Sequence, residues 1–153
     1  MKLITSRFGE IEVDETKNVR FPQGIPGFEE YREFVFLKHP SESMPFSYMQ
    51  SVEDGELAFL VINPFFIFPD YSFDLPASVE EEMDIRKEED VMVFSIVTIS
   101  EKMELTLNLL APIVLNQSKR TAKQVVLNNS GYMTKHPVNL QEISAAGGKP
   151  GGL

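Results

Sequence analysis

His39 and His136 are the only imidazoles in the chain, and each stands immediately before a proline, Pro40 and Pro137. Histidines so placed, far apart in sequence, read as exposed turn residues rather than as a paired base or metal ligand. No cysteine is present, so thiolate nucleophiles, thiolate metal sites and disulfides are all excluded, which suits a reducing compartment. Neither a His-Glu-x-x-His helix, nor a nucleophile elbow, nor a dinucleotide fingerprint occurs; Gly147-Gly148-Lys149 lacks the upstream glycine of a phosphate loop and runs into Pro150. The 23 Asp and Glu side chains must include close pairs by chance, but only burial turns such a pair into an acid and a base. The expectation is a protein that is not an enzyme, with no catalytic residue, cofactor or metal.

Chemistry of recognition is better supplied. Residues 65 to 73 place aromatic rings at Phe65, Phe66, Phe68, Tyr71 and Phe73, in a stretch whose prolines, Pro64 and Pro69, forbid a central strand. Such a loop must be tucked down or covered, and two readings stay open: the rings cap one end of the fold, or several line a partner groove. Glu80 to Asp90 then carries seven acids and two bases, and Glu53, Asp54 and Glu56 form a smaller acidic group. Taken alone, a charge run of this kind is a solvated connection. The formal net charge of −9, from 23 acids and 14 bases, repels nucleic-acid phosphate and anionic lipid, so neither is expected as a direct partner. The only basic cluster, Lys119, Arg120 and Lys123, reads as a solvated face.

The elements that must position these residues are mostly strands. Period-two alternation predicts a strand over 6–13, and short runs rich in Val, Ile and Phe predict others at 34–38, 46–52, 57–62, 91–100, 104–110, 112–116 and 123–127. Asp54-Gly55 is the best hairpin signal, on the premise that the glycine takes the positive φ of a tight turn. Ser78 and Glu81 have the order of a capping box and predict a helical turn over 79–83, with another turn at 29–33. Phe21-Pro22-Gln23-Gly24-Ile25-Pro26-Gly27-Phe28-Glu29 can be neither helix nor ordinary strand: the prolines fix φ, the glycines allow positive φ, and Phe21, Ile25 and Phe28 need burial. It reads as a rigid elbow between strands. With 153 residues, 42% hydrophobic and 24% charged, the chain suits one folded domain, an all-β, barrel-like arrangement of about eight to ten short antiparallel strands with one or two short helical turns. Residues 1–144 form that domain, and 145–153, rich in glycine and poor in apolar groups, are expected to be a flexible tail. The start, Met1 to Arg7, has no apolar signal core, and the apolar run 57–68 is broken by Asn63 and Pro64, so no segment is expected to enter a membrane.

The elbow, together with Pro45-Phe46-Ser47-Tyr48-Met49-Gln50-Ser51, Leu57-Ala58-Phe59-Leu60-Val61-Ile62-Asn63-Pro64 and Asn108-Leu109-Leu110-Ala111-Pro112-Ile113-Val114, resembles the flagellar assembly factor FliW family, in order from about residue 8 to residue 126. The resemblance implies a cytoplasmic, non-enzymatic protein, monomeric when free, that binds the basic RNA-binding dimer CsrA and flagellin, and so relieves repression of flagellin translation. An acidic surface beside apolar rings suits the first partner. The expected contact residues are Phe66, Phe68 and Tyr71 in the aromatic loop, Glu81 and Glu82 in the acidic run, and Glu53 and Asp54 at the hairpin tip. The alternative is a small-molecule or flavin-binding split-barrel enzyme, which would need phosphate contacts.

Overall fold

The computed structural model describes residues 1–39, 45–128 and 130–139, so the expected tail at 145–153 lies outside the described residues. Eleven strands and two short α-helices occur among them. The chain opens with a hairpin, β1 (Lys2–Thr5) and β2 (Gly9–Glu12), where one strand over 6–13 was expected. The reason is Gly9, at φ 65, and Thr5, whose hydroxyl donates to Gly9 O and accepts from Phe8 N–H, together closing a turn at 6–8.

The remaining strands are β3 (Val19–Arg20), β4 (Glu33–Lys38), β5 (Phe46–Ser51), β6 (Ala58–Ile62), β7 (Val91–Ile99), β8 (Leu105–Leu107), β9 (Ile113–Asn116), β10 (Thr121–Gln124) and β11 (His136–Val138). They form one sheet in the order β11-β8-β7-β6-β5-β4-β3-β10-β9, and an added pairing of β9 with β7 closes seven of them into a ring. All pairings are antiparallel except β3 with β10, which run parallel. The long strand β7 makes closure possible by sharing its length: residues 91–94 pair with β9, Ser95 and Ile96 with β6, and residues 97–99 with β8.

Because successive side chains on a strand point to opposite faces, register sorts the apolar residues into two cores. Phe36, Met49 and Phe59 lie opposite one another across β4, β5 and β6, and Val61 faces Ile96, Phe94 faces Ile113 and Leu115 faces Ala122. With Val19, Phe21, Ile25 and Phe34 these fill the inside of the ring. The alternate residues, among them Phe46, Ile62, Val97 and Val114, face outward and are covered by α1 (Pro64–Ile67), α2 (Ala77–Glu82), the segment between the helices and the β8–β11 flap.

The stretch expected as a loop of rings begins with a turn of helix. Asn63 caps it, its Oδ1 accepting from Phe65 N–H at 2.9 Å, and Pro64 fills the first helical position, where no N–H is needed. One turn buries Pro64 and Ile67 and leaves Phe65 outward. Helix α2 starts two residues ahead of expectation, at Ala77, with Pro76 as its cap and no side-chain cap bond, so the Ser78–Glu81 capping box does not form. Its end is better defined. Ile85 N–H bonds Glu80 O and Asp84 N–H bonds Glu81 O, with Asp84 at φ 54 and buried Ile85 packing into the same outer core as Val79.

The elbow is a folded unit. Gly24 N–H bonds Phe21 O, Phe28 N–H bonds Ile25 O, and Gly24 and Gly27 have φ 71 and 88. Phe21 and Ile25 are buried as expected, but Phe28 is 38% exposed and meets only the edge of the core, its ring 5.1 Å from Phe59.

Candidate functional site

The aromatic segment and the acidic run meet in a groove of about 600 Å³. Its lining combines Phe65, Phe73, Ile85 and Val91 with the carboxylates of Asp74, Glu80 and Glu88 and the cations of Arg86 and Lys87. Elements explain the meeting: α1 aims Phe65 outward, the turn after α2 brings Ile85 back into the core, and the one-turn helix at Glu88–Asp90 leads into β7. Tyr71 forms part of the wall and anchors it. It is buried, its hydroxyl donates to Leu109 O at 2.7 Å, and its ring packs against Phe65, Phe73 and Tyr132. Burial, helped by the nearby Tyr132 phenol, pushes the Tyr71 phenol well above the ordinary tyrosine range, so it stays a neutral donor at any physiological pH.

The other expected contact residues are dispersed. Phe66 and Phe68 are half-buried against the outer core, Phe68 meeting the His136 ring edge-on at 4.9 Å. Glu81 is exposed on α2, while Glu82 turns toward the elbow, pairing with Lys123 Nζ at 2.6 Å and accepting from the Gln23 amide. Glu53 accepts from the N–H groups of Arg32 and Glu33, at 2.6 and 2.9 Å, and so caps the start of β4. Asp54 shapes its own turn, its Oδ1 accepting from Glu56 N–H at 2.9 Å. The groove therefore brings together Phe65, Phe73, Glu80 and Glu88, members of the aromatic stretch and the acidic run that were not among the expected contact residues, and the missed signal was Asn63-Pro64, a helix start that decides which rings point out.

These placements separate acids that look alike in sequence. Lysine at Glu81 should change unfolding free energy by no more than about 0.5 kcal/mol, as expected for an exposed side chain with no side-chain hydrogen bond or ion pair among the described residues. Lysine at Glu53 should cost about 1–2 kcal/mol, because two backbone donors lose their acceptor. Urea unfolding of the two variants checks this; equal stabilities would remove the capping role of Glu53.

A second concavity, of about 400 Å³, lies between the elbow, the end of α2 and β10, and Glu82 belongs to its lining. No group of three or more His, Cys, Asp or Glu side chains that could hold a metal is found among the described residues, and no described helix is long and apolar enough to cross a membrane. The fold defines a β-rich protein whose sheet closes into a ring beneath an outer layer of short helices. A sequence model of the FliW protein family matches residues 2–138. The chain belongs to that family. It is 43% identical over 94% of its length to a flagellar assembly factor FliW from Alkaliphilus metalliredigens, covering 88% of that protein, and 46% identical over the same share to one from Geobacillus sp. strain WCH70, covering 99%. A crystal structure of the flagellar assembly factor FliW superposes with a TM-score of 0.83 at 43% identity, over 90% of this chain and 96% of that one. The flavin-binding enzyme alternative is not favoured by these relationships.

Proposed function

We propose that this chain is a cytoplasmic flagellar assembly factor that works by binding alone, antagonising the RNA-binding regulator CsrA and binding flagellin, so that flagellin translation is released from repression. The observation that carries the reading is family membership across residues 2–138, with a groove in which the exposed Phe65 ring and half-buried Phe73 adjoin carboxylates as its physical support. An acidic chain steers toward a basic dimer, and an apolar groove suits the apolar stripe of an amphipathic flagellin helix. Phe65, Phe66, Phe68, Tyr71 and Phe73 serve flagellin in this reading, directly or by holding the groove open, while Glu81 and Glu82 on α2, with Glu53 and Asp54 at the hairpin, serve CsrA.

The two partners then compete. Titrating flagellin monomer into a preformed complex of this protein with CsrA should restore RNA binding by CsrA, followed by gel shift of a labelled RNA site. A stable ternary complex that still withholds CsrA from RNA would refute the competition. Phe65→Ala should weaken flagellin binding more than CsrA binding, and raising salt should weaken CsrA binding more than flagellin binding, because exposed charges are screened beyond about 10 Å at 0.1 M.

A further inference from the structure

The concavity beneath the elbow has a chemistry of its own. We propose that it binds a small apolar monocarboxylate, with Arg20 holding the carboxylate and Pro22, Pro26, Met83 and Ala122 covering the apolar body. This stands independently of CsrA and flagellin. Its volume of about 400 Å³ lies within the range of small-molecule sites, roughly 300–1,000 Å³, and like them it joins an apolar lining to a few placed polar groups.

The walls are pre-formed. On one side the elbow is held by Gly24, at φ 71, where an added Cβ would stand 2.7 Å from Glu29 Cα. On the other, buried Asn116 donates from Nδ2 to Met83 O at 2.8 Å and fixes the end of α2, while its Oδ1 accepts from the N–H groups of Ser118 and Lys119 in the β9–β10 turn. The Gln23 amide and Lys123 both bind Glu82 and latch the two walls together.

Charge decides what can enter. Glu82 is neutralised by Lys123. Asp84 is paired with Arg86 at 3.1 Å and Lys119 at 3.3 Å, and hydrogen bonds from these two cations hold its carboxyl below the usual range. What is left over is the Arg20 guanidinium, which has no ion pair or side-chain hydrogen bond among the described residues, in a chain where acids outnumber bases by 23 to 14. Arg20 also rims an adjoining polar concavity, where Lys119 and Arg120 stand with the carboxylates of Glu15, Glu33 and Glu53. A planar guanidinium with free donors fits a carboxylate in bidentate fashion. Glu29, whose carboxylate accepts from Gly27 N–H at 3.0 Å but has no ion pair among the described residues, opposes a second negative charge on the ligand. Hence the site favours monocarboxylates over dicarboxylates.

A free acid and a peptide C-terminus offer the same chemistry, and the test separates them. The ¹⁵N-labelled full chain is titrated with hexanoate, hexylammonium, succinate, acetyl-Ala-Leu with a free carboxylate, and its C-terminal amide, following backbone amide shifts. Hexanoate or acetyl-Ala-Leu should shift Gln23, Gly24, Met83 and Thr121 to Gln124 saturably, the tighter of the two naming the source; succinate, the amide and hexylammonium should not. Arg20→Gln should weaken the favoured ligand at least tenfold at unchanged melting temperature, and Arg20→Lys should weaken it less. Equal shifts with hexylammonium, unchanged affinity in Arg20→Gln, or no saturable shift with either monocarboxylate would overturn the proposal.

Discussion

Alanine in place of Phe21 should lower unfolding free energy by about 3–5 kcal/mol, whereas alanine in place of Phe28, seven residues along the same elbow, should cost only about 1–2 kcal/mol. Phe21 is fully buried inside the ring of strands, set edge-on to Phe34 at 5.4 Å, and its N–H bonds Arg32 O. Removing its ring opens a cavity among Phe34, Ile113 and Leu115, at positions fixed by strand pairing, so the surroundings cannot collapse to fill it. Phe28 has water on one side and a single ring contact, Phe59, on the other. Its truncation exposes an edge rather than leaving a void. Urea unfolding with constant m-values measures both; equal losses would mean that Phe28 is drawn into the core in solution, and equal small losses would mean that the ring of strands repacks around a missing Phe21.

The elbow shows how far residue types alone carry. Four breakers and three apolar residues specify a packed turn, and a packed turn forms, but periodicity has nothing to say about which of three apolar residues in an irregular segment points inward. The same limit applies at Phe65: the prolines correctly exclude a strand, yet the outward ring follows from one helical turn set by Asn63 and Pro64. Where strands are long enough to alternate, as in β4, β5, β6 and β7, their sites were legible to within a residue or so. The strands β3 and β11, two and three residues long, are made by their neighbours and leave no period to read.

Closure of the ring was legible only as a tendency. Many short strands bounded by turn residues imply a barrel or sandwich, but the pairing of β7 with β6, β8 and β9 depends on register between residues far apart in sequence. Acidic character was legible in composition, and its division among roles was not. Glu53 and Glu82 have backbone and ion-pair partners supplied by Arg32, Glu33 and Lys123, which only the folded chain brings near, while Glu80 and Glu88 reach the aromatic groove because α2 ends in a tight, buried turn.

Gly55→Ala is the other substitution expected to have a large effect, and its sign separates two physical accounts. Asp54-Gly55 suggests a turn that needs positive φ, but Gly55 is not among the residues with positive φ. If local backbone freedom were all that mattered, alanine would then stabilise the fold by about 0.4–1 kcal/mol, by restricting the unfolded chain. The structure gives the glycine a different task. A Cβ at this position would stand 1.8 Å from the carbonyl oxygen of Ile4, because the tip of the β1–β2 hairpin rests on this turn, with Ser6 N–H bonded to Gly55 O at 3.1 Å. The obstacle is backbone and cannot rotate away, and the turn beneath is itself tied down, since buried Gln50 donates to Asp54 O, Gly55 O and Leu57 O. The hairpin must therefore lift, losing its bond to the turn, at a combined cost of about 2–4 kcal/mol from overpacking and the lost hydrogen bond. That exceeds the entropic gain several times over. Amide hydrogen exchange should show the β1–β2 hairpin opening well before the ring of strands, with Ser6 losing protection first, and urea unfolding should give the global loss. A more stable Gly55→Ala protein with its hairpin still protected would show that the hairpin does not sit on this turn.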